Sequence, residues 1–352
     1  MSYNDGWAAI NLEMPARVPR TEYSIERHWE VIRRVTGINA NENSPGELQN
    51  AAKIALYKAW NFDFLWSTAT HSEIFGNTRT KMGHATYLQG GVDFDSEISS
   101  AFTNYEAVLA FDPAAVFEKP NVSDLSRHYS SHYAANCAAY PDAVNMTGIY
   151  VSCISGVLEL FGWELLLEAL GQSPTGFGEC IKRYGRFIRP YFEGLANSDA
   201  PLIMVHDDLT WTSGSFANPA WYREFVFPTL KDCISPLVES GKKVAFTCDG
   251  DFSMFIDDIV GLGVHGFVME PATDMACIAE KYGKTHFFIG NADTRVLAYG
   301  SKHDIENEVR CCMDIGKNCP GFFMAVGNHI PQNTPVDNVL WYNECYEKMA
   351  KR

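Results

Sequence analysis

Several apolar runs in the C-terminal half of this chain stop on side chains that can bind, protonate or ligate. PLIMVHDD ends on His206, Asp207 and Asp208, KKVAFTCDGD on Cys248, Asp249, Gly250 and Asp251, and HGFVMEP on Glu270 and Pro271. THFFIGNAD ends on Asn291, Ala292 and Asp293, and GFFMAVGNHIP reaches Asn328 and His329. Chance would leave a polar group at the end of one or two such runs. Five consecutive runs ending this way describe the rim of a site.

Cys248, Glu270 and His329 offer a thiolate, a carboxylate and an imidazole, the donor types zinc takes, and three protein donors with one open position is the catalytic arrangement. Each has a plainer reading on its own: a core cysteine, a glutamate bound to a helix N-terminus, a loop histidine. Taken together they predict a metal set. His206 and Asp207 pair an imidazole with a carboxylate, which serves proton transfer or a substrate clamp. Asp208, Trp211, Asp249, Asn291, Asp293 and Asn328 are the candidate substrate contacts. Capping competes for Asp208 and for Asp293, which stands just before a helical stretch with Arg295 two positions on. Trp211, with Phe216, Trp221 and Tyr222, either walls a flat apolar substrate or packs a helix.

These groups need a scaffold that gathers strand ends. From residue 144 apolar runs of strand length alternate with helical patterns such as VLELFGWELLLEAL, DMACIAEKYG and KHDIENEVRCCMDIG. Near-continuous apolar strands followed by helices imply parallel strands covered by helices. Six such units, FDFLWST, and one strand expected between residues 70 and 140 (HATYLQ and AVLAFD are the candidates) predict a (β/α)8 TIM barrel, whose active sites lie at the C-terminal strand ends. An open doubly wound sheet is the alternative, but no GxGxxG follows the first strand. Residues 1–60 read as an N-terminal helical extension, an arm and helices SIERHWEVIRRVTG and SPGELQNAAKIALYKAW packed on a barrel of residues 61–352.

The chain of 352 residues is long enough to bury a large core. A formal charge of −15 disfavours nucleic acid and anionic membrane as partners. No run approaches the length of a membrane span. The ten cysteines form no CxxC and the start carries no signal pattern, so a cytoplasmic protein with reduced thiols is expected.

The stretches HDDLTWTSGSFANPAWYREFVFP, CDGD, GFVMEPATDM, IGNADTR and MAVGNHIPQNTPVDN resemble the uroporphyrinogen decarboxylase superfamily, from about residue 200 to the C-terminus and more weakly back to about residue 25. The resemblance implies a (β/α)8 barrel. The arginine-rich RQAGR-type motif of the decarboxylase branch is absent, which speaks against decarboxylation of a porphyrinogen. The other branch holds zinc methyltransferases that bind metal through His-x-Cys, a Glu and a later Cys. Here Cys248 and Glu270 match, Phe246 stands at the histidine position, and Asn328 stands at the last cysteine with His329 beside it. The sequence is most similar to methyltransferase components of corrinoid-dependent O-demethylases. That implies Zn2+, a methoxylated small-molecule substrate, and a corrinoid (cobalamin) carried by a partner protein, since no DxHxxG motif for cobalt occurs in this chain. A second metal set implied by the same group is Asp293, Glu308 and His329. Replacing thiolate donors by carboxylate and imidazole suits an oxygen substrate better than a thiol. A decarboxylase, or a methylcorrinoid:thiol or tetrahydrofolate methyltransferase, is the alternative activity. A homodimer is compatible with the reading.

Overall fold

A computed structural model describes residues 2–80, the strand backbones Thr86–Tyr87 and Asp93–Phe94, and residues 99–352. The chain divides into two compact units: Met1–Trp66 with Asn136–Asn145 and Gly266–Arg352, and Ser67–Ala135 with Met146–His265.

In the first unit Gly266–Met269, Phe287–Ala292 and Phe322–Val326 pair in parallel. Their side chains are buried throughout, as expected of strands covered on both faces. Residues 19–23 continue this ladder without forming a regular strand. Met324 N–H donates to Pro19 O at 2.9 Å and Thr21 N–H to Met324 O at 3.2 Å, while Asp63 N–H donates to Arg20 O at 3.0 Å. Phe64–Leu65 then pairs in parallel with Val144–Asn145. The N-terminal segment thus supplies a parallel member that was expected instead from residues 70–140, after FDFLWST. It carries a fully buried ion pair, Arg20 Nη2 to Glu22 Oε1 at 2.8 Å, whose guanidinium lies over the rings of Trp60, Phe62, Tyr342 and Tyr346. Burial of such a charge is tolerated only because it is paired and hydrogen-bonded.

In the second unit Thr147–Ile149, Leu202–His206 and Lys243–Cys248 pair in parallel. Cys153–Gln172 is buried along its first half and exposes Glu164 and Glu168 in its second, and it kinks at Gly162, whose φ is +77°. Pro174–Ala196 and Phe227–Glu239 pack as further helices, the first with its N-terminal turn capped by Ser173.

Counting residues 144–149 once, the parallel segments among the described residues are eight, 19–23, 64–65, 144–149, 202–206, 243–248, 266–269, 287–292 and 322–326, in the strand–helix order of a (β/α)8 chain. The fold class is α/β, as the alternation of patterns predicts.

Two local expectations differ. AVLAFD is not a strand: Tyr105–Ala110 is a helix, because Asn104 accepts Ala107 N–H at 2.9 Å and its alanines favour the helix. Of HATYLQ, Thr86–Tyr87 pairs antiparallel with Asp93–Phe94, and its other residues lie outside those described. No helix among the described residues is long and apolar enough to cross a membrane.

Candidate functional site

The Leu202–His206 strand is buried along its whole length and delivers His206 at its last position. Side chains alternate along a strand, so His206 and Asp208 share one side and Asp207 takes the other. The contacts follow that rule. His206 Nε2 lies 3.2 Å from Asp208 Oδ1. Asp207 instead accepts Ser155 N–H at 2.8 Å, at the start of the Cys153–Gln172 helix, where a carboxylate meets free N–H groups and the positive end of the helix dipole. Its other oxygen, Oδ2, is buried with no hydrogen-bond partner.

Ser155 ties the two sides together. Its hydroxyl donates to Asp208 Oδ2 at 3.2 Å, accepts Asp208 N–H at 2.8 Å, and lies 3.3 Å from His206 Nδ1. Nδ1 also faces Tyr150 O at 3.4 Å. Acceptors on one side of the ring and a carboxylate on the other fit an imidazolium. Burial works against that charge, but Asp208, with smaller help from Asp249 and Asp207, raises the His206 pKa to about 9. For Asp208, burial is outweighed by His206, which holds its carboxyl below the usual range. Burial pushes the Asp207 carboxyl up to about 7, against the Ser155 N–H bond that favours its ionised form.

The CDGD turn explains its glycine. Gly250 has φ +77°, and a Cβ there would sit 2.6 Å from the backbone C and O of Trp211. The turn is thereby pressed against the Thr210–Trp211 strand: Asp251 N–H donates to Trp211 O at 2.9 Å and Thr210 Oγ1 to Asp249 O at 3.1 Å. This brings Asp249 to the rim, exposed, with its N–H 3.4 Å from Asp208 Oδ1. Cys248 is buried. Its sulfur accepts Leu209 N–H at 3.4 Å and donates to Asp249 O at 3.2 Å. Burial, with the charges of Asp208 and Asp249, pushes the thiol pKa well above its ordinary value.

Aromatic rings frame this cluster. Tyr150 lies against His206 at 4.3 Å between centroids with the rings tilted by 32°, and His71 stacks on Tyr150 at 5.2 Å. Trp211, 41% exposed, contacts Trp163 and Phe216 at 5.5 and 5.7 Å. Trp221 and Tyr222 are buried against the helices, in keeping with a packing role for them.

The remaining candidates belong to the first unit. Glu270 Oε1 accepts Asn328 Nδ2, and Asn328 Oδ1 accepts His329 N–H at 2.7 Å. His329 Nδ1 lies 2.6 Å from Ser24 Oγ. Asn291 Nδ2 donates to the backbone oxygens of Glu270 and Thr273 at 3.3 and 3.2 Å. Asp293 caps the Thr294–Tyr299 helix and pairs with Arg295 at 2.6 Å. Glu308 turns its carboxylate to Asp293 N–H at 2.9 Å, and burial raises its pKa. Of the metal set expected from sequence, Cys248 stands in the second unit, Glu270 and His329 in the first.

Among the described residues one group of three possible ligands gathers its donor atoms within 4.8 Å: His206, Asp208 and Asp249. One imidazole nitrogen and two carboxylate oxygens suit a divalent cation. Tyr150 and Ser155 were not anticipated. Neither has a distinctive sequence context: one ends a short apolar run, the other opens a helix, and only the strand pairing brings them to His206.

A family model described as "Uroporphyrinogen decarboxylase (URO-D)" matches residues 105–349. A uroporphyrinogen decarboxylase of Geobacter metallireducens is 22% identical over 196 residues, covering 54% of each chain. One of Paraburkholderia phytofirmans is 28% identical over 159 residues, 44% of this chain and 42% of the relative. The chain thus spans about half the length of the curated relatives it matches. Among solved structures, a methyltransferase from Methanosarcina mazei superposes with a TM-score of 0.65 at 15% identity, covering 97% of this chain and 96% of that one, and so shares its fold.

Proposed function

The chain belongs to the uroporphyrinogen decarboxylase (URO-D) family, and from that premise we propose that it is a methyltransferase taking the methyl group from the oxygen of a methoxylated small molecule, an aryl methyl ether, and passing it to a corrinoid held by a partner protein. The shared fold with a methyltransferase supports the reaction class. The observation that carries the reading is the pair of buried His206 and half-buried Asp208, with Asp249 beside it.

A methyl ether resists cleavage because an alkoxide or phenoxide leaves badly. A reduced corrinoid supplies the nucleophile for the methyl carbon. The electron pair of the breaking C–O bond goes to the leaving oxygen, and the chain's own part is to neutralise the charge that develops there. His206 does so from Nε2: its proton passes to the leaving oxygen as that bond breaks, and Asp208 holds the ring in place before and after. Nδ1 keeps its proton against Tyr150 O and Ser155 Oγ, which fixes the tautomer left behind. Asp207 stands behind, seating the helix that carries Ser155. The exposed face of Trp211 gives a flat ring a surface to lie on. A donor set of nitrogen and carboxylate oxygen, with no sulfur in it, also fits Zn2+; Nε2 would then carry no proton, and the ion would polarise the leaving oxygen in place of the acid.

The test mixes the protein with a methoxylated aromatic and a reduced corrinoid protein and follows corrinoid absorbance. Conversion to the methylated spectrum that requires both substrate and protein supports the reading; an unchanged spectrum with active corrinoid protein sinks it. Decarboxylation is the second reading, favoured by the names of the curated relatives, and release of CO2 from an acidic substrate without any corrinoid would establish it instead.

A further inference from the structure

We infer that His206 Nε2, Asp208 and Asp249 are the ligands of a divalent cation, and that Cys248 is not one of them. The cluster is the one on which the methyltransfer reading rests, but its fitness for a cation stands on geometry alone.

The three donor atoms lie within 4.8 Å of one another, a spacing that an ion with bonds of about 2.0–2.2 Å to nitrogen and oxygen spans once the side chains draw in around it. The ring is prepared as a ligand. A metal-binding histidine usually directs its second nitrogen to a carbonyl or another acceptor, which sets the tautomer and the ring plane. His206 does this with Nδ1, facing Tyr150 O at 3.4 Å and Ser155 Oγ at 3.3 Å, so that Nε2, on the Asp208 side of the ring, is the nitrogen left for a metal. The Tyr150 ring at 4.3 Å keeps the imidazole from turning. Asp208 has the same kind of support, its Oδ2 held by Ser155 Oγ at 3.2 Å.

The three ligands come from two neighbouring strand ends, Leu202–His206 and Lys243–Cys248, joined by five paired positions. His206 is buried and Asp249 exposed, so the cluster has a protein side and an open side. Three ligands with an open side leave coordination positions for a substrate oxygen or water. The Cys248 sulfur, by contrast, is taken up by Leu209 N–H and Asp249 O. A cation arriving here displaces the Nε2 proton and balances the two carboxylates, so proton and metal occupy one place in turn.

The experiment uses the full chain, stripped of metal by chelation and returned to Zn2+ or Co2+. Metal per chain is counted by mass spectrometry, and affinity is measured by calorimetry. One ion per chain is expected. Asp208→Asn, Asp249→Asn and His206→Gln should each weaken binding by more than about 100-fold, while Cys248→Ser binds as the parent does. The Co2+ protein should lack thiolate-to-cobalt charge-transfer absorption. Asp249→Asn, at an exposed turn, serves as the variant least prone to misfold, checked by circular dichroism. No stoichiometric binding, loss of binding in Cys248→Ser, or a thiolate band overturns the inference. Methyl transfer by the metal-stripped protein is assayed separately, so failure of the metal site and failure of the methyltransfer reading give different results.

Discussion

The Nε2 atom of His206 stands 3.2 Å from Oδ1 of Asp208, two positions along the same strand end, with the imidazole buried and the carboxylate only partly open to water. A charged pair in that setting is much harder to break on one side than to do without on both. Whether the pair holds a proton or a cation sets its charge, and through that charge both stability and reactivity.

His206→Gln removes the proton donor and leaves Asp208 without its counter-charge. The rate of methyl transfer should fall by about 10²–10⁴-fold. Thermal stability should fall as well, by roughly 3–5 kcal/mol if Asp208 stays ionised. Steady-state kinetics and thermal melts read the two effects separately. Full activity in the variant would dismiss His206 as the acid.

The folded-state pKa of His206, about 9, lies above its unfolded value of 6.5. Its contribution to stability is therefore fully present below pH 6.5 and is lost as pH rises through about 9. Melts of the metal-stripped protein between pH 6 and 10 should show this decline. In His206→Gln that part of the profile should flatten.

Asp207 titrates the other way from a salt-bridged carboxylate. Its folded pKa of about 7 exceeds the unfolded 3.8, so the folded state holds the proton longer and stability falls as pH rises from about 4 to 7. Asp207→Asn keeps an acceptor for Ser155 N–H and removes the titration. Its stability relative to the parent should therefore improve between pH 5 and pH 8 in chemical denaturation. An unchanged difference at the two pH values would show that Asp207 is ionised throughout.

Tyr150 is expected to orient His206 through its ring. Tyr150→Leu should lower kcat by about 3–10-fold, the equivalent of roughly 0.5–1.5 kcal/mol of ring contact, with little change in KM. Tyr150→Phe keeps the ring and should restore kcat. A loss in Tyr150→Phe equal to that in Tyr150→Leu would move the role to the hydroxyl.

Gly250→Ala forces a Cβ to within 2.6 Å of the Trp211 backbone at a positive φ. A loss of about 1–3 kcal/mol is expected from the backbone strain alone, and the displaced turn would carry Asp249 away from Asp208. A drop in melting temperature together with weakened metal binding would register both.

The sequence alone determined that apolar strands alternate with helices and that polar groups stand where the strands stop. Both follow from local pattern: a strand buried on two faces must be apolar until it reaches the rim. That placed His206, Asp208, Cys248 and Asp249 at strand ends. Period-two alternation was also legible in HDD, and it separates Asp208, on the histidine's side, from Asp207, which was expected as the catalytic partner. Tertiary structure decided the rest. Only pairing across strands shows that Tyr150 covers His206 and that Ser155 holds Asp208, because those contacts join residues about fifty positions apart. Only the turn at Gly250, pressed on the Trp211 backbone, aims Asp249 at the cluster while the Cys248 sulfur turns to local backbone groups. Residue types restrict which chemistry is available, whereas convergence in space is set by long-range packing that no single stretch of chain encodes.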